Sequence, residues 1–188
     1  MPTKNSSIIR IIGGKYCGRK IYFPVVAGLR PTPNKVRETL FNWLMHDLTD
    51  ARCLDVFAGS GALGFEAYSR GASRVVLVES ANIAVVSLQR FAAQLTATNL
   101  LVVHMDACRY LRETTESFDI IFLDPPFAKN YLPQALAILA QRHILSPGGL
   151  IYIESCNKIL VDFKGWRELK SKHTGQVFYS LYENIGPT

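Results

Sequence analysis

Cysteine is scarce in this chain, and what there is stands alone. Cys17, Cys53, Cys108 and Cys156 are far apart, and no two form a CxxC pair. That spacing argues against a zinc site, so no metal is expected, and nothing in it suggests a disulfide framework. Buried, reduced thiols in the cytosol are the expectation. Long apolar runs are also missing, and no stretch approaches the ~20 residues a membrane-spanning helix needs. Residues Met1 to Ser7 lack the long apolar core of a signal peptide. These absences predict a cytoplasmic protein with no membrane partner. There is no internal repeat and no low-complexity tract. At 188 residues, 48% hydrophobic and 19% charged, the chain can form one globular domain with a substantial core.

Acids are absent from the N-terminal fifth. Residues 1–37 hold eight Lys and Arg and no Asp or Glu, and the first acid is Glu38. The net charge is +6, so the whole positive excess sits in this segment. A basic tail is often just solvated. Here the cations interleave with Ile8, Ile9, Ile11, Ile12, Tyr16, Ile21, Tyr22 and Phe23. Such a segment can be ordered and present charge on a surface, and phosphate binding is its natural reading.

Residues 8–23 read as two short strands around Gly13-Gly14. Thr32 is placed to cap the next helix, with Pro33 at its first position. Val36, Leu40, Leu44 and Leu48 then recur every four residues as one helical face. From residue 51 the pattern becomes strand and helix in alternation. Strands are expected at 53–57, 74–79, 100–104, 118–123 and 150–154. Helices are expected at 62–69, 83–96, 106–112 and 132–142. This βαβ alternation predicts a parallel sheet covered on both faces. Residues 166–173 and 177–182 flank Thr174-Gly175-Gln176 as an antiparallel hairpin. His46 and His104, lone histidines in apolar contexts, read as structural.

Gly59-Ser60-Gly61-Ala62-Leu63-Gly64 spells GxGxxG between a strand and a helix. Glycines there allow a tight turn and close backbone approach to a ligand. Alone the pattern is shared by nicotinamide and flavin enzymes. Its neighbours narrow it. Asp55 ends the preceding strand, where it would repel a pyrophosphate but suits a cation. Glu79 ends the next strand, where a carboxylate can accept both ribose hydroxyls. Asp106 follows the third, where it can accept from an adenine amino group or simply cap a helix. An acidic rim around a glycine loop fits S-adenosyl-L-methionine, which carries a sulfonium and an ammonium but no phosphate. Phe57, Ala58, Gly59, Ser60, Gly61, Ser80 and Ala107 complete the expected cofactor contacts.

The apolar run Ile120-Ile121-Phe122-Leu123 delivers Asp124-Pro125-Pro126-Phe127. The prolines fix φ and supply no N–H donors, and the residue before each is pushed to extended geometry. Pro-Pro alone would read as a strand-to-loop turn. After a buried strand, with the glycine loop upstream, it reads as a stiff, acceptor-rich corner for an amino group on a planar ring. Asp124 and the Pro125 carbonyl would accept from the amine, and Phe127 would stack on the ring. These residues, with Pro126, are the candidate catalytic set.

Leu54-Asp55-Val56-Phe57-Ala58-Gly59-Ser60-Gly61 and Leu123-Asp124-Pro125-Pro126-Phe127 resemble the cofactor- and amine-binding motifs of amino methyltransferases. Residues 12–19 (Ile-Gly-Gly-Lys-Tyr-Cys-Gly-Arg) and 30–44, opening Arg30-Pro31-Thr32-Pro33, narrow the likeness. Together they resemble the bacterial 16S ribosomal RNA guanine-N2 methyltransferase family, which modifies guanine 966 of the small subunit. The resemblance runs through nearly the whole chain in order. It implies an α/β fold of the Rossmann-like class I methyltransferase type. The sheet would be seven-stranded and mostly parallel, with a C-terminal antiparallel hairpin and an N-terminal β-hairpin and helix extension. It implies S-adenosyl-L-methionine as cofactor and 16S rRNA in the assembling small ribosomal subunit as partner. Residues 1–33 would form the RNA-contacting extension, and 34–188 the methyltransferase domain with its leading helix. Arg10, Lys15, Arg19, Lys20, Arg30 and Arg37 are the expected RNA contacts, on a monomer.

Other classes fit less well. A DNA adenine-N6 methyltransferase shares the Asp-Pro-Pro-Phe block, but no separate target-recognition region is visible. A protein-glutamine methyltransferase would not need the basic segment. A non-catalytic RNA-binding assembly factor would not need Asp55, Glu79 and Asp124 intact. A nicotinamide oxidoreductase is disfavoured by Asp55 and by the Asp-Pro-Pro corner.

Overall fold

The computed structural model describes residues 6–24, 32–126, 131–158 and 165–186. Alternating apolar residues build the N-terminal hairpin. Strand β1 (Ser6–Arg10) pairs antiparallel with β2 (Lys20–Pro24), setting Ile9 opposite Ile21 and Ile8 opposite Tyr22. Ile9, Ile21 and Phe23 are buried, with Ile11 just beyond the strand, while Ile8 and Tyr22 face solvent. This is the period-two pattern of a half-buried ribbon. Helix α1 (Asn34–Trp43) follows. Two starting expectations fail here. Leu44 and Leu48 are buried but lie past the helix, in tight turns closed by Asp47 N–H to Leu44 O and Ala51 N–H to Leu48 O. Thr32 does not cap: Pro33 holds the N-cap position and no side chain bonds the first turn.

Strand and helix then alternate as expected. The elements are β3 (Arg52–Asp55), α2 (Ala62–Ser69), β4 (Arg74–Glu79), α3 (Asn82–Gln94), β5 (Leu100–His104), α4 (Ala107–Glu113), β6 (Phe118–Leu123), α5 (Tyr131–Gln141), β7 (Leu145–Ser155), β8 (Trp166–Thr174) and β9 (Val177–Asn184). Seven strands form one sheet in the order β5-β4-β3-β6-β7-β9-β8. The first four pairings are parallel, and β9 runs antiparallel to both β7 and β8. Chain direction across the sheet reverses at β3, whose neighbours are β4 and β6. In open α/β sheets that switch point is where ligands bind, outside the carboxyl ends of the strands.

Successive residues of each central strand feed opposite cores. Cys53, Ile120 and Phe122 join a cluster with α1, α2, α3 and the hairpin residues Ile9, Ile11, Ile21 and Phe23. Leu54, Ile121 and Leu123 join a second cluster with α4 and α5. The hairpin is therefore packed into the core of the main sheet. All four cysteines are free, but only Cys53 and Cys108 are buried, so the expectation of buried thiols holds for half of them. His46 and His104 are both exposed, so neither is a core histidine.

Glu66, in the middle of α2, is fully buried. Its two oxygens accept from Ile12 N–H at 2.7 Å, Gly13 N–H at 2.8 Å and Arg70 Nε at 2.7 Å. Arg37 lies 3.7 Å away, also with no exposed surface. Its guanidinium donates to Arg10 O at 3.0 Å and Asn34 Oδ1 at 2.7 Å. Burial pushes the Arg37 guanidinium down from its usual value, with Glu66 opposing. Arg37 was expected on the RNA surface, and the structure corrects this. It belongs to the i, i+4 face shared with Phe41, which packs inward. Ser69 continues the seam: its hydroxyl donates to Gly13 O at 2.6 Å and accepts from Tyr16 N–H at 2.9 Å. Gly14 sits at φ 76°, and a Cβ there would fall 1.9 Å from Ser69 O, so only glycine fits. Replacing Glu66 by Ala leaves Arg37 buried and uncompensated. A loss of about 3–5 kcal/mol is expected in urea unfolding, and an unchanged midpoint would show that the cluster carries no stability.

Candidate active site

Four predicted acids come from four adjacent strands, in the order Asp106 (after β5), Glu79 (β4), Asp55 (β3) and Asp124 (after β6). Asp55 is the most deeply placed, at 1% exposure. Its Oδ2 accepts from Gly64 N–H at 3.0 Å, while Oδ1 is buried with no hydrogen-bond partner. Burial pushes its carboxyl up to about 7, opposed by the Gly64 bond and more weakly by the nearby Phe57 N–H, and reinforced by Asp124 and Glu79. Gly64 allows this contact, since a Cβ there would stand 2.3 Å from Leu77 Cδ2. A buried carboxylate oxygen without a partner leaves an acceptor open beside the glycine loop.

Glu79 grips the loop itself. Its Oε2 accepts from Gly59 N–H at 2.8 Å and its Oε1 from Ala81 N–H at 2.7 Å. Each oxygen keeps a further lone pair for a ligand hydroxyl. Ala58 N–H bonds Val78 O at 2.9 Å, fixing the loop against β4. Phe57 is half-buried and packs on Tyr131, ring centroids 5.7 Å apart. Ser60 and Ala107 are buried. Ser80 is exposed, and its carbonyl lies 3.0 Å from His104 Nε2. Asp106 is exposed and caps α4, accepting from Arg109 N–H at 2.9 Å. The helix-cap reading of Asp106 is therefore realised, with its second oxygen left for other donors.

The corner after β6 has Pro125 buried and Pro126 exposed. Asp124 keeps partial exposure as a residue while its carboxyl sits in the interior. Its Oδ2 accepts from the Thr32 hydroxyl at 2.9 Å. Burial pushes the Asp124 carboxyl up to about 6, and the Thr32 bond opposes this. Phe127 and Arg30 lie outside the described residues. Sequence reasoning missed Glu154. It stands one residue before the end of β7 at 2% exposure and accepts from Tyr152 Oη at 2.8 Å. Leu123 pairs with Ile153 in parallel register, which makes Asp124 and Glu154 neighbours. Burial first, then Asp124, pushes the Glu154 carboxyl well up. The available signal was its position, a carboxylate closing an apolar strand as at Asp55 and Glu79.

On the hairpin, Arg10, Lys15, Arg19 and Lys20 are exposed as expected. Lys15 Nζ and Arg19 Cζ lie 5.3 and 5.6 Å from the centroid of the Tyr16 ring. Tyr16 in turn stacks on Tyr68 at 5.9 Å. The cations thus stand on an aromatic base held by α2.

Residues 9–183 match the family described as Conserved hypothetical protein 95. The chain belongs to this family. It is 43% identical over 180 residues to the ribosomal RNA small subunit methyltransferase D of Escherichia coli K12, covering 95% of this chain and 91% of that one. The solved Escherichia coli protein yhhF superposes with a TM-score of 0.86 at 43% identity, over 95% of this chain and 98% of that one. A Thermus thermophilus 16S rRNA N2 G1207 methyltransferase, solved with AdoMet and guanosine, superposes with a TM-score of 0.71 at 25% identity. It covers 96% of this chain and half of that chain. The fold is the mostly parallel seven-stranded methyltransferase sheet with a C-terminal antiparallel hairpin.

The raised carboxyls make the free protein pH-sensitive. Asp55 binds its proton more tightly folded than unfolded. Its contribution to stability is therefore full below about pH 4 and is lost as pH rises through about 7. Asp55→Asn keeps an acceptor for Gly64 and removes the charge. The variant is expected to exceed the parent in thermal stability at pH 8, by on the order of a few kcal/mol. The difference should vanish towards pH 4. Equal stability at both pH values would contradict the assignment.

Proposed function

We propose that this protein transfers a methyl group from S-adenosyl-L-methionine to the exocyclic N2 amine of a guanine in 16S ribosomal RNA. The family resemblance points to guanine 966. The observation that carries the reading is the adjacency of two strand ends at the sheet's switch point. One brings the unpaired buried oxygen of Asp55 to the glycine loop, and the next brings the Asp124-Pro125-Pro126 corner. The relatives named for ribosomal RNA and the guanosine-bound neighbour support the same substrate. Among the described residues no helix is long and apolar enough to cross a membrane. We place the enzyme in the cytoplasm, acting as a monomer on the assembling small subunit, with residues 1–33 as the RNA-contacting extension.

When bound, the cofactor supplies a methyl group on a sulfonium, already activated for displacement. Asp55 would face its ammonium, and Glu79 would accept from its ribose hydroxyls while holding Gly59. Asp106, with Ala107, would serve the adenine, and Phe57 and Ser80 would border it. The protein's task is then to present the acceptor. A guanine amine is a poor nucleophile because its lone pair conjugates with the ring. Asp124 and the Pro125 carbonyl accept from that amine and can turn the lone pair towards the methyl group. Phe127 would stack on the base. Rate enhancement comes mainly from positioning. The base must leave its stack to enter, at a cost of a few kcal/mol, and less in a loop.

Labelled S-adenosyl-L-methionine offered with naked 16S RNA, small subunits and duplex DNA should label RNA, at a guanine mapped by mass spectrometry. Label confined to DNA or protein would overturn the reading. Asp124→Ala should abolish transfer and leave cofactor affinity within about tenfold, or ~1.4 kcal/mol. Neutralising Lys15, Arg19 and Lys20 together should weaken RNA binding and flatten its salt dependence. The slope should fall by roughly 0.7 for each phosphate that is no longer neutralised on a single strand. An unchanged slope would remove these residues from the RNA surface.

A further inference from the structure

Thr32 has the side chain of a helix cap and stands two residues before the first residue of α1, yet it caps nothing. It is 5% exposed, and its hydroxyl donates to Asp124 Oδ2 at 2.9 Å, across 92 residues of sequence. A residue type favoured at helix starts for local reasons has been diverted to a distant carboxylate. We propose that Thr32 is a positioning residue for Asp124, holding one carboxylate oxygen so that the remaining lone pairs are presented to the substrate amine. The proposal rests on Asp124 being the amine acceptor.

The χ2 torsion of an aspartate is broad, so the carboxylate plane needs an outside constraint. A single hydroxyl supplies one and occupies one of about four acceptor positions. The groups around Asp124 make its charge expensive. Asp55 approaches from β3, with Glu79 of β4 behind it. Glu154 and Tyr152 approach from β7, and Tyr179 of β9 stands against Tyr152 with ring centroids 6.5 Å apart. Neighbouring buried carboxylates resist ionising together. Thr32 donates to Asp124 at 2.9 Å and also lies near enough to Glu154 to favour its charge, since hydrogen bonding to the charged form favours that form. Thr32 therefore orients Asp124 and favours its charged form.

The experiment compares the parent protein with Thr32→Val, which keeps shape and loses the hydroxyl, and Thr32→Ser, which keeps the hydroxyl. Carboxyl 13C NMR of the free protein, with Asp124 assigned from Asp124→Asn, reports its titration directly. The midpoint should rise by about one unit in Thr32→Val, the size expected when a bond to a carboxylate is removed. It should return in Thr32→Ser. Single-turnover RNA methylation should shift its acid limb upward in the same order, with cofactor affinity unchanged. An Asp124 midpoint that does not move in Thr32→Val, or that Thr32→Ser does not restore, overturns the proposal. Full activity of Asp124→Ala would sink the proposed function instead and leave the NMR result standing.

Discussion

The buried carboxylate of Glu66 is the interaction on which the arrangement of the molecule depends. Taking a carboxylate out of water costs several kcal/mol unless its lone pairs are filled. Here they are filled by two backbone N–H groups of the hairpin loop and by Arg70, with Arg37 nearby. The donors come from two parts of the chain, the 12–13 loop and Arg70 at the end of α2, and α1 adds the charge of Arg37 at 3.7 Å. The basic hairpin is thus held to α2 by buried polar bonds as well as by its apolar face.

Helix α2 has only eight residues, and its other end is the glycine loop. Gly64 N–H bonds Asp55, while Glu66 and Ser69, further along the helix, bond the hairpin. One short rigid element therefore sets the spacing between the acidic strand ends and the exposed Lys15, Arg19 and Lys20. An enzyme that works by presentation needs that kind of fixed distance, since misplacement by about 1 Å can cost a hundredfold in rate. Thr32 makes a second tie, from the segment entering α1 to Asp124. The N-terminal region is tied through side chains to α2 and, separately, to the corner after β6.

Much of this was legible in the sequence because it depends on local periodicity. The alternation of strands and helices, the C-terminal hairpin and the strand-end acids each follow from residues a few positions apart. What was not legible depends on burial, which charge alone does not reveal. Arg37 counted as one more cation in a basic stretch, although its i, i+4 relation to Phe41 placed it inward. Glu66 carried no local signal, because the backbone donors that bury it come from residues 12 and 13. Glu154 was hidden because β7 and β6 are adjacent only in the folded sheet. Thr32 was read by its local role, and the partner that took its hydroxyl is 92 residues away.

The strand ends also explain why no cation of the protein settles the acids. Asp55, Asp124 and Glu154 lie on adjacent strands, and among the described residues no Lys or Arg pairs with them. Burial, with the acids' mutual repulsion behind it, raises their carboxyls. A resident lysine would relieve it and would also fill the place of the ligand. Leaving the charge unmet lowers the stability of the free fold. A cationic ligand restores it on binding, by about 2.7 kcal/mol at a hundredfold excess over Kd. The same logic suits Thr32 to its place. A neutral hydroxyl can orient a carboxylate and favour its ionised form without cancelling the charge, so Asp124 keeps its negative charge and its remaining lone pairs.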